Sequence, residues 1–331
     1  MTAPDPPNIK KKMKKKAIIL ACLLFSGFSY AQEKVENKTS NIDNIQKILG
    51  NQSAQVLIDK TKQDAINQAT SLATTKTKNY LDTLFPTVEV SLSKGLNEDN
   101  LVGGILVVSP LSDPKNVFNT TFTQGSIFLH DDRKTVNLGL GHRVLEFDKK
   151  LLFGVNAFYD YEFPYDHQRT SIGLEARSSV GEINANKYWA LTKWKKAGIS
   201  DERALDGQDI EAAVPLPYIN WTKASVRHFK FEGVDGASDL KGNDYSLRAD
   251  IPIFQGLSIE AGVRDFDNRK DEHFVRLTYS PKLVETLKTS QLVSNEAYTL
   301  TSMEDRRYDK VRRENLIVKQ KRRSSVQVTG F

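Results

Sequence analysis

From Thr87 to Pro281 the chain alternates apolar and polar residues with a period of two, segment after segment. Successive side chains of a strand point to opposite faces, so this pattern describes strands with one apolar and one polar face. Twelve segments carry it: 87–95, 101–111, 120–130, 135–145, 151–163, 168–180, 183–195, 208–217, 218–231, 244–254, 257–267 and 271–280. In LLFGVNAFYDYEF, the odd positions Leu151, Phe153, Val155, Ala157, Tyr159, Tyr161 and Phe163 form one apolar face. Val136, Leu138 and Leu140 stand against Asn137, Gly139 and Gly141, and Ile172, Leu174 and Ala176 against Gly173, Glu175 and Arg177. Leu257, Ile259, Ala261 and Val263 oppose Ser258, Glu260, Gly262 and Arg264. The segment 218–231 breaks phase, because Trp221 and Val226 fall on different faces.

A soluble sandwich explains each segment singly, whereas a transmembrane barrel explains the set. The polar faces carry ionised residues and glycines suited to a wet lumen. Phe147, Tyr159, Tyr161, Phe163, Trp189, Trp194, Tyr218, Trp221 and Tyr279 lie near segment ends, where interfacial girdles are required. An open sheet edge cannot sit in hydrocarbon, so the sheet must close, and twelve is an even number. The expected fold is all-β, a twelve-stranded antiparallel transmembrane β-barrel over 86–281.

The flanks read differently. Six lysines between Lys10 and Lys16 precede the apolar run Ala17–Phe28 and the small-residue site ending at Ala31. This is the pattern of a secretory signal peptide over 1–31, with Met13 an alternative start; the run is short for a spanning helix. Removing Met1–Ala31 takes away six lysines and Asp5, so the formal charge of +6 falls to +1. The single cysteine, Cys22, leaves too, which excludes disulfides and thiolate metal sites from the remainder. Residues 32–85 carry a thin helical pattern (Ile42, Ile45, Leu49; Ala65, Ile66, Ala69, Leu72) and are expected to form a short helical or flexible periplasmic region. Past Pro281 the alternation stops. LVETLKTSQLV at 283–293 reads as a short helix, and Arg306–Arg323 holds nine basic residues against Asp309 and Glu314. The division is then a pore linker and junction over 282–320 and a basic tail over 321–331.

Three motifs in order carry a family resemblance. The first is VNLGLGHRVLEFDKKLLFGVNAFYDYEF with HQRTSIGLEAR, which supplies a glycine-rich strand, then Asn156, Phe158 and Asp160, then Gly173 and Glu175. The second is DERALDGQDIEAAVPLPYI, with Asp201, Glu202, Arg203, Gly207, Asp209, Leu216 and Pro217 matching and Ala204 in place of a proline. The third is RRYDKVRRENLIVKQKR, with Arg307, Tyr308, Asp309, Val311, Arg313, Asn315, Ile317 and Val318 matching. Over about 85–320 the chain resembles the intimin/invasin family, the inverse autotransporters.

The resemblance implies a C-terminal linker that enters the lumen and exports or anchors a segment at the cell surface, a role tied to adhesion in the family. It implies Gram-negative outer-membrane lipid as surroundings, barrel-assembly machinery and periplasmic chaperones as partners, and a surface or secreted protein partner. Twelve strands return the chain to the periplasm. The 50 residues after Pro281, at about 3.3 Å each, are long enough to cross a bilayer core about 30 Å thick. Glu175, Arg177, Arg248, Glu260, Arg264 and Arg276 are the expected lumen contacts, with Arg307, Tyr308 and Asp309 at the junction and Asp201, Glu202, Arg203, Gly207 and Asp209 in a motif turn. Too few residues lie beyond the third motif for an immunoglobulin-like domain of about 100 residues. Open alternatives are therefore a truncated adhesin, a translocator for a separately encoded secreted partner, and a free-standing porin-like or structural barrel. No enzyme, cofactor, metal or nucleic-acid partner is expected: the five histidines are scattered, and GLGH at 139–142 continues a strand rather than leading into a helix.

Overall fold

Alternation in the sequence becomes alternation in burial. In the computed structural model the described residues are 84–96, 101–252, 254, 256–280 and 293–323. Along Leu151–Phe163 the even positions from Leu152 to Glu162 are buried, and Phe153, Val155, Ala157, Tyr159 and Phe163 are exposed. The exposed face is the apolar one, and the buried face holds Gly154, Asn156, Asp160 and Glu162. A water-soluble sheet has the opposite arrangement, while a barrel with lipid outside and polar groups within has this one.

Twelve strands close the barrel: β1 (Thr87–Gly95), β2 (Leu101–Pro110), β3 (Asn119–His130), β4 (Arg133–Glu146), β5 (Leu151–Phe163), β6 (His167–Ser178), β7 (Gly181–Ala190), β10 (Gly207–Leu216), β11 (Ile219–Phe231), β12 (Leu240–Asp250), β13 (Leu257–Phe266) and β14 (Glu272–Tyr279). All neighbours are antiparallel, and β1 pairs with β14, Val90 opposite Tyr279, so no edge is left open. A separate three-stranded sheet joins β8 (Lys195–Ala197), β9 (Ser200–Ala204) and β15 (Lys319–Arg323), in the order β15-β9-β8. Thr87 and Tyr279 share one rim, called the near rim below. The β7–β10 connection, with β8 and β9, lies at the far rim.

The expected strands and the observed ones coincide to within a few residues, with informative exceptions. The segment expected to end at 195 stops at Ala190, because Asp206 accepts the Ala190 N–H and the chain leaves the wall to build β8 and β9. The out-of-phase segment is β11. Pro215 pairs with Lys223 but Leu216 with Ile219, and the extra residues of that irregularity shift Trp221 relative to Val226. In the motif read as a turn, Asp201, Glu202 and Arg203 stand in β9 and Gly207 and Asp209 in β10, which leaves only Leu205–Asp206 as the connection. Trp194 is no girdle residue: it sits in the far-rim loop, where its Nε1–H donates to Asp235 and Arg322 lies 4.1 Å over its ring. The helical readings of 32–85 and 283–293, and the signal segment 1–31, lie outside the described residues apart from the last one or two positions of the helical segments.

The inward glycines do something other than line a wet lumen. A Cβ at Gly139 would overlap the Phe158 ring, one at Gly141 the Phe122 ring and one at Gly207 the Phe231 ring. They are seats in which side chains of the next strand lie flat on the wall. Gly139→Val is therefore expected to lower stability by about 1–3 kcal/mol through overpacking. Pairing it with Phe158→Ala should recover part of the loss, measured as the temperature at which the folded band disappears in heat-modifiable electrophoresis.

Candidate functional site

Register lines the inward side chains of β4, β5, β6, β7 and β10 into rows around the wall. Starting from the far rim these are Thr135–Glu162–His167, then Asn137–Asp160–Arg169, then Gly139–Phe158–Ser171–Tyr188. Below them come Gly141–Asn156–Gly173–Asn186–Asp209 and Arg143–Gly154–Glu175–Asn184–Glu211. In the three rows nearer the near rim glycine stands beside a large or polar group, Gly139 beside Phe158, Gly154 beside Glu175 and Gly173 beside Asn156 and Asn186, which gives those side chains space.

A second part of the same chain lies on these rows. Near the β4–β5 turn, Met303 N–H donates to the Lys149 carbonyl at 2.7 Å, and Met303 packs on Leu145 and Leu152. At that rim Lys149 also holds the half-buried Glu304 carboxyl below its ordinary range through a hydrogen bond. The chain then climbs row by row. Arg143 donates to the carbonyls of Arg307 and Asp309, at 2.9 and 2.6 Å, and Arg177 to that of Lys310. Thr87 donates to the Tyr308 carbonyl, and Asn186 to that of Arg312. Higher still, Arg169 reaches the carbonyls of Glu314 and Leu316, and Asn137 that of Asn315. Eight of the ten carbonyls from Arg307 to Leu316 thus accept hydrogen bonds from the wall. Val311 N–H donates to Gln124 Oε1 and Glu314 N–H to the Tyr188 hydroxyl. At the far rim Lys319 meets Glu162, and β15 pairs with β9, Lys319 opposite Ala204.

Ion pairs anchor this segment where it is most buried. Asp160 accepts two hydrogen bonds from Arg313, at 2.8 and 2.6 Å, one from Arg169 Nε and one from Asn137 Nδ2, both at 2.8 Å. Arg313 lies 4.3 Å over the Phe158 ring, and Arg169 lies 4.5 Å over Tyr188. The side chains of Asp160, Arg169 and Arg313 are all fully buried, so each charge depends on the others. Further pairs are Lys310–Glu89, Arg312–Glu211, Arg306–Glu182 and Glu314–Arg227. Tyr308 and Val311 enter an apolar cluster with Leu106, Val108, Phe122 and Phe158.

The residues singled out in the sequence divide by sector of the wall. Glu175 and Arg177 touch this arrangement, since Glu175 holds Arg143 at 2.5 Å and Arg177 at 2.6 Å. Arg307, Tyr308 and Asp309 lie in the segment itself. Arg248, Glu260, Arg264 and Arg276 lie on β12–β14 and pair within the wall: Arg248 with Asp250, Arg264 with Asp244, Arg276 with Glu260. Glu202 reaches back from β9 to Arg133, and Asp209 accepts from Asn186 and Tyr188. Arg143, Arg169 and Tyr188 are not among the expected contacts, although each sits on the polar face of an alternating strand. Asp160 and Arg313 stand in the motifs quoted above, but those motifs assign them no role.

The family described as inverse autotransporter, beta-domain, matches residues 37–315. An inverse autotransporter adhesin, YeeJ, of Escherichia coli K12 is 28% identical over 64% of this chain and 9% of its own length. A putative attaching and effacing protein homolog of the same organism is 29% identical over 55% of this chain and 61% of its own. Invasin of Yersinia enterocolitica is 23% identical over 71% and 30%. The chain therefore spans less than two thirds of each of these relatives. A solved structure from a study of in-meso crystallization of membrane proteins superposes with a TM-score of 0.58, at 19% identity, over 71% of this chain and all of its own. At that identity it bears on the fold alone.

Proposed function

The chain belongs to the inverse autotransporter beta-domain family, barrels of the outer membrane, and on that premise we propose that it is a translocation unit whose own C-terminal segment is its pore linker. In this reading residues 293–323 run through the lumen from a periplasmic near rim to an external far rim and hold the chain beyond them at the cell surface. One observation carries it: the ladder of wall side chains on successive backbone carbonyls from Arg307 to Leu316, which continues into the β15–β9 pairing. Carbonyls are common to every residue, so such a wall holds an extended chain with little regard to its sequence. That property suits a conduit through which other segments have passed.

The relatives named adhesin and invasin favour attachment as the purpose of the surface segment, with a surface or secreted protein as partner and barrel-assembly machinery and periplasmic chaperones needed for insertion. The role is one of binding and transport, without a catalytic step. A porin-like role is the second reading. It is favoured by Arg264 and Arg276 on the β13–β14 side, whose side chains remain 30% and 40% exposed.

An epitope tag fused after Phe331 separates the two. The translocation reading expects external protease to remove the tag from intact cells. A tag protected until the outer membrane is permeabilised would refute it, and single-channel conductance would then test the pore.

A further inference from the structure

Beneath the far-rim sheet is a cluster that takes no part in the ladder of wall side chains on the carbonyls from Arg307 to Leu316. Glu162 near the end of β5, His167 at the start of β6 and Glu202 on β9 are each essentially inaccessible to solvent. One ligand atom from each lies within 4.8 Å of the other two. His167 Nε2 is 3.5 Å from Glu202 Oε2. Neither ring nitrogen of His167 has a hydrogen-bond partner, and Glu202 Oε2 has none either. A buried imidazole must carry at least one N–H, and leaving that donor and a carboxylate oxygen unsatisfied is costly. Two carboxylates and an imidazole that face one another without hydrogen bonds have the arrangement of ligands gathered to surround a cation.

The surrounding groups fit this reading. Arg133 donates to Glu162 Oε1 and to Glu202 Oε1, both at 2.8 Å, which fixes the two carboxylates and leaves Glu202 Oε2 without a hydrogen-bond partner beside His167. Hydrogen bonds from behind, of this kind, orient metal ligands. Ligands of a tetrahedral zinc ion stand about 3.3 Å apart, so the His167–Glu202 separation is close to that required. The obstacle is charge. Lys319 Nζ lies 2.5 Å from Glu162 Oε2, His130 Nε2 is 3.5 Å from the same oxygen, and Lys321 Nζ is 3.4 Å from Glu202 Oε1. Two carboxylates balance Arg133 and Lys319 as they stand. A divalent ion added to all four groups would leave a buried charge of two, which withdrawal of Lys319 reduces to one.

We propose that Glu162, His167 and Glu202 form a binding site for a divalent transition metal of the zinc type, taken up in exchange for the Lys319 ammonium. Three protein ligands leave a fourth position for water. A ligand set containing imidazole selects zinc, cobalt or nickel over magnesium and calcium, which prefer oxygen alone. Lys319 opens β15, so metal uptake removes one of the ties between that strand and the wall.

The test uses the full chain without a histidine tag, stripped with chelator in detergent and titrated calorimetrically with zinc chloride. Cobalt chloride serves as a coloured substitute. The expected result is one zinc per chain, no saturable magnesium binding, and four-coordinate cobalt bands in the visible. His167→Gln should weaken zinc binding by at least about tenfold, the scale on which even changes to the groups behind the ligands act. Lys319→Met should tighten it by removing the competing cation. Absence of saturable zinc binding, His167→Gln binding as the parent does, or Lys319→Met without tighter binding would each overturn the proposal. Should His167→Gln fail to fold, as judged by heat-modifiable mobility, Glu202→Gln gives the same reading from β9.

Discussion

Asp160→Ala is expected to lower the unfolding temperature of the barrel more than any other single change among the lumen residues. The carboxylate takes hydrogen bonds from Arg313, Arg169 and Asn137, and no solvent reaches it. Its removal leaves two buried guanidinium groups short of their counter-charge. Breaking one buried pair costs about 3–5 kcal/mol. Arg169 keeps its two linker carbonyls and the Tyr188 ring, while Arg313 keeps only Ser171 and two ring faces. The burden therefore falls on Arg313, and the linker should lift from the wall there before the barrel itself melts. Two measurements check this: the temperature of the heat-modifiable mobility shift, and labelling by an impermeant maleimide at Asn315→Cys. Adding Arg313→Met to Asp160→Ala should restore part of the loss, because the orphaned charge goes with it. A coupling within the usual range of about 0.5–3 kcal/mol is expected. An unchanged unfolding temperature in Asp160→Ala would show that the pair is not what secures the segment.

The second large effect concerns the other face of the same wall. Leu140 stands at the middle of β4 and is 59% exposed on the apolar side. Leu140→Arg should cost about 2–4 kcal/mol if that side faces the bilayer midplane, as measured by urea unfolding of the barrel in lipid vesicles. The same change near a rim, at Phe163, should cost about 0–1 kcal/mol. A soluble sandwich predicts neither the size nor the gradient. If both variants unfold with the parent, the outward face does not contact lipid.

Period-two alternation makes the wall legible because it reports directly on which side of a strand each residue takes, and a closed sheet converts that into inside and outside. It carries no information on azimuth. Glu175 and Arg264 look alike in the sequence, both polar and both opposite a hydrophobic face. Yet Glu175 holds Arg143 beneath the linker, whereas Arg264 pairs with Asp244 in a sector where the described linker residues make fewer contacts. Which sector the linker rests on depends on three-dimensional closure, which no local pattern encodes. The small far-rim sheet is illegible for a related reason. Ser200–Ala204 and Lys319–Arg323 are five residues each, mostly polar, and pair across more than a hundred positions of chain. Neither has an apolar face to mark it as a strand. Tyr188 illustrates a third limit: alternation places it on the polar face, but nothing local tells that its hydroxyl donates to Asp209 while accepting from Glu314 N–H.

The antiparallel pairing of β15 with β9 has a mechanical consequence. Tension applied at Arg323 along the axis of β15 acts across the hydrogen bonds of all five register pairs together, from Lys319–Ala204 to Arg323–Ser200, as shear. The same tension applied sideways would peel them one at a time, beginning at the end that is pulled. Behind the sheet stand the arginine contacts on Glu314, Leu316 and Asp309, which are engaged only after Lys319 has let go of Glu162. A chain stretched outward from this barrel thus meets two resistances in series, a sheet that shears and a ladder of guanidinium groups. Its rupture force should depend on the direction of pull more strongly than on its speed.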